Sequence, residues 1–152
     1  MRILGLDLGA RRIGTALSDA DGAIAFPHGA IDRQDRKKDL ESLQALIQEE
    51  KVGHIVVGLP VHMDGRVGPE AQAAQTFARV LAETTGIPVD VLDERWTTRE
   101  AERALRESSP ARGRSRRREK TRRERVDALA AALILRTFLA RRATETGETE
   151  ER

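Results

Sequence analysis

The first thirty-one residues constrain the fold more tightly than any other part of the chain. Two β-rich apolar segments, Arg2 to Leu8 and Arg12 to Ser18, are joined only by Gly9, Ala10 and Arg11. A third, Ala23 to Ile31, follows the pair Asp21-Gly22, a strong hairpin signal. Connections this short cannot hold a crossover, because parallel neighbours need about a dozen residues or more between them. The chain must open as three consecutive antiparallel strands. The first of these, in "RILGLDLGA", carries one carboxylate, Asp7. A buried strand admits a charge only where something offsets it.

The hydrophobic period then changes. Leu40, Leu43 and Ile47 stand at helical spacing and predict a helix from Asp39 to Glu50. "HIVVGLP", 54 to 60, is a continuous apolar run closed by Gly and Pro, the mark of a strand covered on both faces. Pro69 opens a second helix with the stripe Ala74, Phe77, Ala78 and Leu81, ended by Gly86 and Pro88. "VDVL", 89 to 92, predicts the fifth strand. Thr97 and Glu100 have the spacing of a capping box, which starts a third helix, and "SSPARGRS", 108 to 115, reads as a linker. The last helix, Glu119 to Arg142, lines up Val126, Leu129, Ala130, Leu133, Ile134 and Phe138. Residues 143–152 are acidic and expected to be disordered. The order predicts an α/β fold: a mixed five-stranded sheet, three antiparallel then two parallel strands, with helices on both faces. That is the ribonuclease H-like order, in a single domain over 1–142.

Composition narrows the function classes. The chain has no cysteine, which excludes disulfides and thiolate metal sites and fits a reducing cytosol. The longest apolar run, "ALAAALIL" at 128 to 135, is far short of the roughly 18 residues that span a bilayer. Asp7 interrupts the N-terminus too early for a signal peptide, so a soluble, cytoplasmic protein with no membrane partner is expected. The net charge of +2 hides an asymmetry: Ala111 to Arg125 holds nine Lys or Arg against two Glu. A concentrated basic segment on an otherwise acidic chain is the footprint of a phosphate-backbone binder. Candidate nucleic-acid contacts are Arg116, Arg117, Arg118, Lys120, Arg122 and Arg123, with Arg11 and Arg12 near Asp7 and Arg95 beside Glu94. Aromatics make up 3% of the chain and Tyr is absent, so base stacking is not the main recognition mode.

Three carboxylates could meet. Asp7 ends the first strand and Glu94 follows the fifth; strands one, four and five run parallel, so both lie at one sheet edge. Asp127 lies about 100° around the last helix from Val126, at the border of its apolar stripe. Like charges at close range persist only where a cation or a shared proton offsets them. Oxygen donors without the His or Cys spacing of zinc sites favour Mg²⁺ or Mn²⁺, and two such ions suit phosphodiester cleavage. Structural roles compete: Asp7 could bond its turn, Glu94 could pair with Arg95 or Arg99, and Asp127 with Arg123. Asp93 competes with Glu94, since adjacent strand residues point opposite ways, and periodicity does not choose between them.

"GLDLGARRIGTALSD" (5 to 19), "VVGLPVHMDGRVGPEA" (56 to 71), "DERWTTREAE" (93 to 102) and "RRERVDALAAALIL" (122 to 135) resemble the YqgF family, also called RuvX. Its members are resolvase-like nucleases described as maturing the 5′ end of pre-16S ribosomal RNA. The likeness runs from Met1 to about Leu139. It implies a cytoplasmic ribonuclease H-like nuclease that depends on Mg²⁺ or Mn²⁺, with Asp7, Glu94 and Asp127 as its catalytic, metal-holding residues. RNA is the favoured substrate, four-way DNA junctions are the alternative, and a homodimer is implied by analogy with related resolvases. His62 stands where relatives usually carry Asn; it could touch phosphate or shuttle a proton, or be a solvated loop residue. Two rivals remain. "DLGARRIG" also resembles the phosphate loop of sugar kinases, which need a second domain, and a non-catalytic nucleic-acid-binding module would keep the basic segment alone.

Overall fold

A computed structural model describes residues 1–62, 64–94 and 116–150. Strands β1 (Arg2–Leu8) and β2 (Arg12–Ser18) have the expected bounds. Strand β3 (Ala25–Asp32) starts two residues later than the sequence predicts. The Asp19 carboxylate accepts the N–H groups of Ala23 at 2.7 Å and Ile24 at 2.9 Å, so these residues belong to the turn. Gly22, at φ 71°, supplies the left-handed corner of that turn. Helix α1 (Arg36–Glu49) begins three residues earlier than expected, because Asp35 accepts from Lys38 N–H at 2.8 Å and caps it. Strand β4 is Val52–Leu59, helix α2 is Pro69–Thr85, closed by Gly86 in the left-handed region, and strand β5 is Val89–Asp93. The last helix, α3, is Arg116–Glu150. It passes both predicted ends and carries helical backbone into the segment expected to be disordered; no proline stops it, and one glycine costs only about 1 kcal/mol. The helix expected from Thr97, the linker at 108–115 and Arg95 lie outside the described residues.

The five strands form one sheet in the order β3-β2-β1-β4-β5. β1 pairs antiparallel with β2, and β2 with β3, while β1–β4 and β4–β5 are parallel. The two central strands, β1 and β4, are covered on both sides. On one face Leu4, Leu6, Ile13, Ile55 and Val57 pack with Leu43 and Ile47 of α1 and Phe77 and Leu81 of α2. On the other, Ile3, Ala16, Val56 and Leu92 pack against Ala131, Ile134, Leu135 and Leu139 of α3. Among the described residues no helix is long and apolar enough to cross a membrane.

The alternation fixes which residues face α3: the row of Ile3 on β1, of Ala16 on β2, of Val56 on β4 and of Leu92 on β5. Three of those rows contain a glycine at the contact. A Cβ on Gly5 would lie 2.9 Å from the Leu135 Cβ, and one on Gly14 only 2.1 Å from the Asp127 carbonyl oxygen. A Cβ on Gly58 would lie 2.5 Å from the Ile134 Cδ1. Helix α3 therefore rests directly on strand backbone, which brings its start to the edge where β1, β4 and β5 end.

Candidate active site

Asp7 sits in the α3-facing row of β1, paired in register with Gly14 of β2. Glu94 follows Asp93, the last residue of β5, and continues the row of Leu92. Alternation therefore puts Glu94 on the side of Asp7 and Asp93 on the opposite face, a choice periodicity left open because it depends on which face α3 covers. Gly58, paired with Leu92, leaves the space beside it empty of side chain. The buried Glu94 Oε1 lies 2.0 Å from where a Gly58 Cβ would be.

The Asp7 and Glu94 carboxyl groups act directly on one another, and each holds its proton more tightly than an ordinary carboxyl. Burial, then the Asp7 charge and a hydrogen bond with Asp7, with a smaller contribution from Asp93, push the Glu94 carboxyl up to about 8. Burial is also the largest influence on Asp7; the Glu94 hydrogen bond opposes it, the Asp127 charge reinforces it, and the net shift is upward. Two carboxyl groups in contact resist ionising together in a dry place without a counter-charge, which is why both are shifted upward.

Asp127 is close enough for its charge to be felt at Asp7, but its own carboxylate is engaged by Arg12. Arg12 Nε donates to Asp127 Oδ2 at 2.5 Å. The structure thus joins Asp7 to Glu94 and holds Asp127 beside them on a guanidinium. Among the described residues no three His, Cys, Asp or Glu gather closely enough to hold one ion. The donors present are hard carboxylate oxygens with no His or Cys among them, a set suited to Mg²⁺ or Mn²⁺.

Of the basic candidates, Arg11, Arg117, Lys120 and Arg123 are exposed, and Arg122 is half-buried. Lys120 stands 3.8 Å from Asp32 and 4.0 Å from Glu124. The side chains of Arg116 and Arg118 lie outside the described residues. His62 packs over the start of α2: a Cβ on Gly68, the residue that caps this helix, would be 2.7 Å from its Nε2. Asp64 takes the Arg66 N–H at 3.0 Å and its guanidinium at 2.7 Å, so it shapes a turn.

Neither Arg33 nor Asp39 stands out in the sequence as part of a site. Arg33 Nη1 donates to the Gly9 carbonyl at 2.8 Å, and the Arg33 N–H donates to the Arg11 carbonyl at 2.8 Å. The buried Asp39 accepts from Gln34 N–H at 2.9 Å and lies 3.7 Å from Arg33 Nε. Together they brace the turn between Asp7 and Arg12. In the sequence both are hidden in the charged run "RQDRKKD", where nothing marks one carboxylate as buried.

Residues 1–141 match the family described as RuvX, Holliday junction resolvase. A relative in Syntrophomonas wolfei, named "Putative pre-16S rRNA nuclease", is 48% identical over 91% of this chain and 94% of its own length. One of the same name in Desulfitobacterium hafniense is 38% identical over 99% of this chain and 100% of its own. Among solved structures, Thermus thermophilus RuvC in complex with a Holliday junction substrate superposes with a TM-score of 0.58 at 16% identity, covering 95% of this chain and 97% of that one. The fowlpox virus resolvase with Holliday junction DNA gives 0.52 at 10% identity, over 92% and 97%. These two show the fold, a RuvC-like ribonuclease H sheet. With the matching family covering nearly its whole length, the chain belongs to the RuvX family.

Proposed function

We propose that this chain is a divalent-cation-dependent nuclease that hydrolyses RNA phosphodiesters and trims the 5′ end of pre-16S ribosomal RNA. The observation that carries the reading is the burial of Asp7 and Glu94 beside one another where the parallel strands end, which raises the pKa of both. Such a pair has little structural use, since burying two carboxyl groups without a cation costs stability. The names of the relatives supply the substrate, and the exposed Arg11, Arg117, Lys120 and Arg123 supply positive charge for its backbone.

Asp7, Glu94 and Asp127 would hold Mg²⁺ or Mn²⁺, two ions at full loading. When bound, these ions supply the Lewis acidity that phosphodiester hydrolysis needs. The protein's own part is positioning. Gly58 keeps room for the Glu94 carboxyl, Gly14 sets the depth at which Asp127 meets β2, and Arg33 fixes the turn that separates Asp7 from Arg12. Arg11, at the tip of that turn, meets the strand backbone as it arrives.

The test incubates wild type, Asp7→Asn and Glu94→Gln in Mn²⁺ with an RNA spanning the precursor 5′ end and, separately, with a four-way DNA junction. Wild type should shorten the RNA, and each variant should be slower by about a hundredfold or more. RNA left intact, or a variant as fast as wild type, would overturn the reading. Cleavage of the junction alone would move the substrate to branched DNA, the alternative favoured by the family's description.

A further inference from the structure

We propose that Arg12 is an exchangeable counter-ion: it holds Asp127 until a divalent cation takes that carboxylate, and is thereby released to the nucleic-acid backbone. This rests on the cation reading above and adds to it a residue whose two partners exclude one another.

The geometry begins with strand alternation. Arg12, Gly14 and Ala16 share the face of β2 that lies under α3. Because Gly14 has no side chain, the helix backbone at Asp127 is in contact with β2. Arg12, two residues earlier on the same face, reaches Asp127 Oδ2 through its Nε. A change of partner at Asp127 therefore needs only side-chain movement.

The pair suits exchange. Its side chains are 22% and 26% exposed, shielded enough to hold each other and open enough to be reached by an ion. A guanidinium and a divalent cation compete for the same oxygen. Arg12 would not be lost to solvent when displaced, because Asp32, its register partner on β3, and Glu124 on α3 also attract it. Its bond to Asp127 uses one of five N–H donors, and the fork matches phosphate. The Asp127 carboxylate is thus already balanced by a guanidinium. Uptake of a cation at that carboxylate displaces Arg12.

The test measures Mn²⁺ binding to the full chain by calorimetry and by the rise in melting temperature, for wild type, Arg12→Met, Asp127→Asn and the double variant. Arg12→Met should bind Mn²⁺ about tenfold more tightly than wild type, within the usual range for coupled sites. Arg12→Lys, which keeps the charge, should stay near wild type. In the Asp127→Asn background the Arg12 substitution should have no effect, because its target is gone. Binding of an RNA with non-hydrolysable linkages should gain about one unit of salt slope on Mn²⁺ loading in wild type and none in Arg12→Met. Equal or weaker Mn²⁺ binding by Arg12→Met would make Arg12 a fixed brace and overturn the proposal alone. So would a gain that persists with Asp127→Asn, since it would reflect long-range charge only. If neither wild type nor Arg12→Met binds Mn²⁺, the cation reading fails and takes this proposal with it.

Discussion

Glu94 concentrates the electrostatic cost of the fold in one side chain. Its carboxyl moves from an ordinary 4.5 to about 8 in the folded protein, first through burial and then through Asp7. A group that binds its proton more tightly when folded loses stability for the native state as the proton leaves. In the presence of a chelator, melting temperature should therefore fall as pH rises from about 4.5 to about 8, and level off beyond. Glu94→Gln should flatten that decline and melt higher than wild type at pH 8, as followed by circular dichroism; a parallel decline in the variant would place the cause elsewhere. Gly58 offers a steric counterpart. Its Cβ position is 2.0 Å from the Glu94 Oε1 and 2.5 Å from the Ile134 Cδ1. Gly58→Ala should cost about 1–3 kcal/mol, read from urea denaturation, because both neighbours must shift.

At the scale of elements, α3 ties the site together. It contributes Asp127, and its Ile134 and Leu135 fill the core over β1 and β4. Gly14→Ala would press a methyl group into the Asp127 carbonyl oxygen, 2.1 Å away, which is backbone and cannot rotate aside. The substitution should cost at least the roughly 1–3 kcal/mol of overpacking and should depress cleavage in Mn²⁺ beyond what unfolding explains, measured well below the melting temperature. The elements themselves were legible because each has a local signature: turn pairs for β1 to β3, Pro69 and Gly86 around α2, an unbroken apolar run for β4. The start of α1 was not, since its cap, Asp35, sits in a charged run that masks the hydrophobic period. Asp7 stood out in an apolar strand. The Arg12–Asp127 pair could not be read at all, because its partners lie 115 residues apart and Arg123 offered a nearer partner by helical spacing. Choosing Glu94 over Asp93 needed the face that α3 covers, which is a property of the assembled sheet.

At the scale of the whole molecule, charge is laid out along α3 and the β1–β2 turn. Lys120 stands 3.8 Å from Asp32 with both side chains mostly exposed, a pair worth little to stability in water. Replacing Arg117, Lys120, Arg122 and Arg123 with Gln should leave the melting temperature nearly unchanged. The same change should lower the salt slope of RNA binding by about 0.7 for each lost phosphate contact on a single strand. An unchanged slope would assign the basic segment no part in binding. The internal neutralisation of the acidic cluster has a further consequence, for the order of events in the life of the chain. Small zinc domains fold only when their ion arrives. Here the raised pKa of Glu94 and the guanidinium of Arg12 already ease the buried charge, so a newly made chain can finish folding with no ion present.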